Sequence, residues 1–357
     1  MKIFSFSIDK NILEPNSIVA KRMIWFDNFV DKYCIIVPSI KKIRVSLSYK
    51  IEVFASGGRS KISQLFKIYK LANRLLKQEN YDIITSQDNY YIGFLALILA
   101  KKFDIGLEIQ VHGWEKYGGL RKIISNFILK RANIVRTVSK RSKDKLVKEI
   151  GLEAEKIAVI PIFVDTSDSY GFERDYREKE KIIFLTVSRL TSVKNIGMQI
   201  EAIKKLVENK LQVELWIVGK GEEENNLKKK IGELKLENYV KLLGYKNKPE
   251  LNEIYKQADC FLLTSQSEGW GMVIIEAAGF GLPIIMTDVG CAGEVIKNEI
   301  SGLVIPVNDK EVLRQAMRRL VEDVELRKGL GVTAREEVEK LADRKETLEL
   351  YLDNWRM

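Results

Sequence analysis

Short apolar strand patterns alternate with amphipathic helical stretches twice along this chain, and one polar gap separates the two series. In the first half the runs MKIFSFSI, YCIIVP, IEVFAS, YDIITSQ, LEIQVHG, NIVRTVS and KIAVIPIFV read as strands, with apolar residues at helical spacing between Ser63 and Lys77 and between Leu120 and Arg131. The second half repeats the rhythm with KIIFLTVS, QVELWIVG, YVKLLG, CFLLTS, PIIMTD and GLVIPV, and with helices such as Asn195 to Lys210 and Glu222 to Leu236. Strands separated by crossover helices pair in parallel, so the pattern predicts an α/β chain with two doubly wound sheets. The stretch Thr166 to Lys181 is polar and aperiodic, and it predicts the connection between domains. The organisation expected is one domain over residues 1–168, a second over 169–340, and a C-terminal helix at 341–357 that packs back on the first. From about Lys310 onward the pattern is helical only, and that whole stretch is expected to run back over the first domain.

Counts of particular residues prune the chemistry. With 46% hydrophobic and 30% charged residues and six prolines, the chain has the composition of a folded protein. The longest apolar run, Ile92 to Ala100, falls short of the roughly 20 residues that span a bilayer. Asp9 interrupts the N-terminal stretch before it reaches the length of a signal sequence, so secretion is not expected. Cys34, Cys260 and Cys291 form no CxxC pair, which suggests neither a zinc cage nor a disulfide framework and favours a reducing cytosol. The single histidine, His112, excludes a His-rich metal centre, and no G-x-S-x-G elbow accompanies it. Charge is unevenly shared: residues 1–170 hold 29 Lys+Arg against 17 Asp+Glu, and the remainder 30 against 32. Such a dipolar chain is expected to meet an anion with its first half.

Doubly wound sheets bind ligands outside the carboxyl ends of their strands, so the loops after strands are where chemistry is sought. The stretch after the strand ending near Leu263 sets Glu268 in a loop, Gly271 at a helix start and Glu276 one turn inside that helix. Backbone amides of Gly271, Met272 and Val273 then suit a phosphate, and Glu276 suits a pair of vicinal hydroxyls such as a ribose. Glu268 reads as loose enough to reach a second polyol. After Val187 come Arg189 and Lys194, a guanidinium fork and a mobile ammonium able to neutralise a diphosphate without metal. Gly219-Lys220-Gly221 offers a close backbone approach, and His112-Gly113 ends a first-domain strand. A cleft lined from both sides is the expected site.

The order Ser188-Arg189-Leu190 with Lys194-Asn195, Gly219-x-Gly221, Gly244-Tyr245, Glu268-Gly269-x-Gly271 with Glu276, and Gly281-Leu282-Pro283 resembles the retaining family-four glycosyltransferases (glycosyl transferases group 1) of GT-B fold. The resemblance covers essentially the whole second domain. In the first it rests on His112-Gly113, Thr137-Val138-Ser139 and Ile160-Pro161…Val164-Asp165. It implies two Rossmann-like domains facing a central cleft and transfer of a hexose or related sugar from a nucleotide-diphosphate sugar, without metal or other cofactor, to a glycan or lipid-linked acceptor. It also implies roles: Arg189 and Lys194 on the diphosphate, Glu276 on the ribose, Glu268 and His112 at the transferred sugar, Gly271 to Val273 on the phosphates, Gly219 at the close approach, and Tyr245 at the base. One departure stands out: many members carry a Gly-Gly loop after the first strand, where this chain has Ser7-Ile8-Asp9-Lys10-Asn11-Ile12.

Each residue also has an ordinary reading when taken singly. His112 equally suits a structural role, Arg189 and Lys194 a solvated loop, and Glu268 and Glu276 the surface. Trp114 and Trp270 read as packing residues rather than sugar platforms, and Ser139 as a helix N-cap. Lys41, Lys42 and Arg44 with Arg121, Lys122, Lys130 and Arg131 keep a chain soluble, but the last four flank an apolar stripe that also suits an anionic membrane surface at the cytoplasmic face. A nucleotide-sugar epimerase of GT-B fold relies on more than one histidine, and a solute-binding protein needs a secretion signal. A nucleic-acid partner is not expected, because no RNP, KH or helix-turn-helix signature appears.

Overall fold

The computed structural model describes residues 1–113 and 118–356. The chain forms two compact units, one of Met1–Pro161 joined by the stretch from Arg344 on, the other of Ile162–Asp343.

Unit 1 is built on strands β1 (Lys2–Phe6), β2 (Lys32–Val37), β3 (Lys42–Ser46), β4 (Ile51–Ser56), β5 (Ile83–Ser86), β6 (Gly106–Val111), β7 (Ile134–Thr137) and β8 (Ile157–Val159). They form one sheet in the order β3-β4-β2-β1-β5-β6-β7-β8. Its helices are α1 (Ile18–Ile24), α2 (Lys61–Gln78), α3 (Tyr91–Phe103), α4 (Gly119–Arg131) and α5 (Lys140–Lys145). β2, KYCIIV, is buried from its second residue to its last, as expected of a strand covered on both faces. On α2 a reciprocal Ser60–Ser63 capping box fixes the start, and Ile68, Ala72 and Leu76 at intervals of four form the stripe that meets the sheet. Every pairing is parallel except β3 with β4. Sequence patterning missed β3: Ile43 and Val45 alternate with polar residues, but KIRVS is almost entirely solvent-facing.

Unit 2 holds β9 (Ile182–Val187), β10 (Val213–Val218), β11 (Val240–Gly244), β12 (Cys260–Leu263), β13 (Ile284–Thr287) and β14 (Leu303–Ile305), with α6 (Ile196–Glu208), α7 (Glu224–Glu233), α8 (Lys248–Gln257), α9 (Met272–Gly279), α10 (Lys310–Glu322) and α11 (Val324–Glu339). The sheet is wholly parallel and ordered β11-β10-β9-β12-β13-β14. Ile196, Ile200 and Ile203 of α6 pack with Phe184, Leu215, Met317 and Leu320 in its core. The fold is therefore α/β with two Rossmann-like units.

Two expectations are corrected. The polar stretch around residues 166–181 is no free connection, because it is strapped to unit 2. Arg174 donates to the carbonyls of Tyr255 (2.6 Å), Ala258 (2.5 Å) and Phe280 (2.8 Å), at the ends of α8 and α9, and Tyr176 donates to Gly281 (2.6 Å). A guanidinium's five donors suit the orphan carbonyls of two helix ends, a reason invisible to apolar periodicity. Nor does all the chain beyond Lys310 run back: α10 and α11 stay on unit 2, and only α12 (Arg344–Trp355) joins unit 1. There Leu348, Leu352 and Trp355 pack with Phe26 and Tyr33. The units thus divide at 161/162 and 343/344, a few residues from the 168 and 340 read from sequence.

Candidate functional site

In unit 2 the strand order reverses at β9: β10 and β11 extend to one side, β12 to β14 to the other. The carboxyl ends of strands at such a reversal are where open α/β sheets bind ligands. The candidate residues of the second domain fall on the loops around this point.

Loops after β9 and β10 are stitched together by backbone. Ser188 N–H donates to Val218 (3.0 Å), Leu190 N–H to Lys220 (2.9 Å), and Glu223 N–H back to Leu190 (2.9 Å). Gly219 makes this possible: at φ 140°, a Cβ there would stand 1.8 Å from the Ser188 carbonyl oxygen. Arg189 is thus held between two anchored neighbours, and its exposed guanidinium has no ion-pair partner among the described residues.

Lys194 ends a short 3-10 turn, Ser192–Lys194, before Asn195 in left-handed conformation (φ 50°) starts α6. Thr264 at the end of β12 donates its hydroxyl to the carbonyls of Lys194 (3.1 Å) and Asn195 (3.2 Å), and Gln266 N–H donates to Val193 (2.8 Å). These bonds set the two loops side by side. The Lys194 ammonium donates to Glu268 Oε1 at 2.5 Å, and Ser265 donates to the same oxygen at 2.7 Å. With side chains only 16% and 13% exposed, Lys194 is not the mobile ammonium expected, nor Glu268 the loose carboxylate. Opposite charges brought together at low exposure hold each other in place.

Gly271 is the N-cap of α9 at φ 93°, ψ 58°, and provides no side-chain cap; Ile274 N–H turns back to its carbonyl (2.9 Å). A helix start of this kind combines orphan amides with the positive end of the macrodipole at the amides of Met272 and Val273. One turn on, Glu276 accepts from the Tyr255 hydroxyl (3.0 Å) and from Lys248 (3.1 Å). Tyr255 is fully buried, and desolvation followed by the Glu276 charge pushes its phenol well above the ordinary range, so it stays a donor. Among the described residues no hydrogen bond joins this group to the Lys194–Glu268 pair. Tyr245 follows β11 and is 69% exposed, while the neighbouring Gly244 carbonyl accepts from Gly219 N–H at 2.8 Å.

Sequence reading gave no site role to Ser265, Tyr255 and Lys248, which bond the two carboxylates, to Thr264, which ties the loops together, or to the loop after β13. There Cys291 N–H donates to the Trp270 carbonyl (2.9 Å), buttressing the segment that carries Glu268. The signal was available, because Val289-Gly290-Cys291-Ala292-Gly293 also follows a strand. Trp270 is buried, in keeping with packing, whereas Trp114 lies outside the described residues.

His112 belongs to unit 1, just after β6. The residue is exposed overall, but its Nε2 edge lies against the protein, 3.1 Å from Gln110 Oε1 in a half-buried contact. Desolvation by the protein around it, with repulsion from Arg136 second, lowers its pKa to about 4, so the resting ring is neutral. Ser139 caps α5 by accepting from Ser142 N–H. Among the described residues no group of three or more His, Cys, Asp or Glu could hold a metal ion, and no helix is long and apolar enough to cross a membrane.

Comparison with known proteins adds the following. Residues 172–337 match the family model described as Glycosyl transferases group 1, and residues 45–168 the model described as Glycosyltransferase Family 4. The chain is 30% identical over 281 residues to the Escherichia coli UDP-Gal:alpha-D-GlcNAc-diphosphoundecaprenol alpha-1,3-galactosyltransferase, spanning 73% of this chain and 71% of that one. Its fold resembles a sucrose-phosphate synthase from Thermosynechococcus elongatus, with TM-score 0.82 at 18% identity over 100% and 98% of the two chains. Anabaena HepE in complex with UDP-glucose gives TM-score 0.75 at 19% identity over 100% and 98%.

Proposed function

The chain belongs to the group 1 glycosyl transferases and is a glycosyltransferase of GT-B fold; on that premise we propose that it moves a hexose or related sugar, with retention and without metal, from a nucleotide-diphosphate sugar to a glycan or lipid-linked acceptor. The observation that carries the reading is the Lys194–Glu268 pair at the point where the sheet order reverses, beside the uncapped start of α9.

Breaking the bond between the anomeric carbon and the phosphate builds negative charge on the departing diphosphate and positive character on the sugar. Arg189, Lys194 and the α9 amides at Met272 and Val273 supply the fixed positive field for that diphosphate, in the place of a divalent ion. Gly219 lets the backbone loop approach, Glu276 takes the ribose hydroxyls, Glu268 those of the transferred sugar, and Tyr245 lies against the base. His112 is assigned to the transferred sugar on the family resemblance alone. Both carboxylates already answer to donors, Glu268 to Lys194 and Ser265, Glu276 to Tyr255 and Lys248. Neither is placed to act as an unencumbered nucleophile, which favours departure of the phosphate and entry of the acceptor on one face, the phosphate oxygen taking the acceptor's proton.

The UDP-glucose complex of a fold relative and the UDP-sugar donor in the name of the E. coli relative favour a uridine donor. Thermal shift against UDP-, GDP- and ADP-sugars, run with and without chelator, tests this. A stabilisation of several degrees by UDP-sugars that chelator leaves unchanged is expected; stabilisation only with added divalent ion would refute metal independence. For Glu276→Ala, the dissociation constant of the bare nucleotide should rise about tenfold or more, the loss of about 1.5 to 3 kcal/mol from hydrogen bonds to a charged acceptor. An unchanged constant in titration calorimetry would take the ribose from Glu276.

The same reading extends to a lipid surface. Leu120 and Ile123 on α4 are 67% and 66% exposed, with Arg121, Lys122, Lys130 and Arg131 along the helix and the Arg131 guanidinium over the Phe127 ring. Apolar side chains between cations suit an anionic interface that holds a lipid-linked acceptor. Vesicles containing anionic phosphatidylglycerol should co-sediment the protein where neutral phosphatidylcholine vesicles do not, and equal behaviour would dismiss the contact.

A further inference from the structure

Strand β6 and the residue just after it carry polar side chains at alternate positions: Glu108, Gln110 and His112. Glu108 is completely buried, Gln110 nearly so. Four donors converge on the carboxylate. Asn354 Nδ2 (2.7 Å) and Trp355 Nε1 (2.8 Å) reach Oε2 from α12, and Arg136 Nε (3.4 Å) and Gln110 Nε2 (3.0 Å) reach Oε1.

A carboxylate among donors accepts only, so the Gln110 amide has to turn its NH2 toward Glu108 and its carbonyl oxygen the other way. Flipping that amide would set two acceptors 3.0 Å apart in the core, a conflict worth about 1 to 3 kcal/mol. The outward-turned Oε1 stands 3.1 Å from His112 Nε2, and because an amide oxygen accepts, Nε2 must carry the proton. In a neutral imidazole the second nitrogen is then an acceptor, and Nδ1 has no partner among the described residues.

We infer that Glu108 and Gln110 are positioning residues that lock His112 in the Nε2–H tautomer, presenting Nδ1 as an acceptor. The inference deepens, and in that respect rests on, the role at the transferred sugar that the functional reading above gives His112. The relay begins at α12, so the last helix of the chain helps to set the protonation pattern of a residue over 240 positions earlier.

The chain's single histidine makes the test direct, because a full-length sample labelled with 15N-histidine yields one pair of ring nitrogens. At pH 7 and without nucleotide sugar, long-range proton–nitrogen correlation should show Nε2 at the limiting value of a protonated nitrogen and Nδ1 at that of an unprotonated one. Gln110→Leu should move both toward the exchange-averaged values of a free imidazole. Ring nitrogens already averaged in the wild type, or a protonated Nδ1, would overturn the inference, as would a Gln110→Leu spectrum identical to wild type. The wild-type spectrum decides the matter even if the variant fails to fold. Since no sugar is in the sample, the result is independent of whether the donor assignment stands, which calorimetry with UDP-glucose addresses separately.

Discussion

Lys194→Ala is expected to lower turnover about ten- to hundredfold, and Arg189→Ala by a similar factor. Each removes a charge-assisted contact worth about 1.5 to 3 kcal/mol to the departing diphosphate, and about 1.4 kcal/mol is a factor of ten in rate. The two should differ in kind. Lys194 is paired, so its loss leaves Glu268 with Ser265 alone and disturbs the sugar contact as well. Arg189 has no ion-pair partner among the described residues, so its replacement should leave the fold untouched. Arg189→Lys keeps the charge but loses the planar fork, and intermediate activity is expected. Steady-state kinetics with folding checked by melting temperature reads the series. Losses below threefold in both alanine variants would mean that the diphosphate is neutralised elsewhere.

Arg136→Met should destabilise unit 1 by about 3 to 5 kcal/mol, the range for removing one partner of a buried charge pair. Arg136 is 3% exposed, lies 3.4 Å from Glu108, and stacks its guanidinium 4.5 Å from the Tyr351 ring centre while donating to that residue's hydroxyl at 3.1 Å. Methionine fills a comparable volume but answers neither the carboxylate nor the phenol. Urea unfolding followed by hydrogen exchange of β6 and β7 amides separates this unit from the other. A change below about 1 kcal/mol would mean that Asn354, Trp355 and Gln110 suffice for Glu108.

The second unit was legible in sequence to an unusual degree, for a physical reason. A parallel strand followed by a ligand-binding loop leaves its signature in consecutive residues, as in FLLTSQSEGWGM, and each such block could be read where it stood. What could not be read was which charges meet: Lys194 and Glu268 lie 74 positions apart, and nothing in either block tells that they neutralise one another. Arg174 was hidden for the same reason, since a guanidinium bound to carbonyls leaves no apolar period. In the first unit, LEIQV reads as a strand, but nothing in it tells that Glu108 is buried, because its donors come from Arg136 on the adjacent strand and from Asn354 and Trp355, 246 and 247 positions further on. β3 escaped for the opposite reason, having almost nothing to bury.

The return of α12 to the first unit bears on how the molecule is made. A ribosome delivers residues 1–161 long before 344–355, so the first sheet emerges with two of the four donors to Glu108 still unsynthesised. The second unit, Ile162–Asp343, is complete in sequence once α11 clears the exit tunnel. Maturation should therefore proceed out of chain order, with the lobe translated first being the last to set, and a nascent chain stalled before position 344 should be cut by protease in the early lobe while the later one resists.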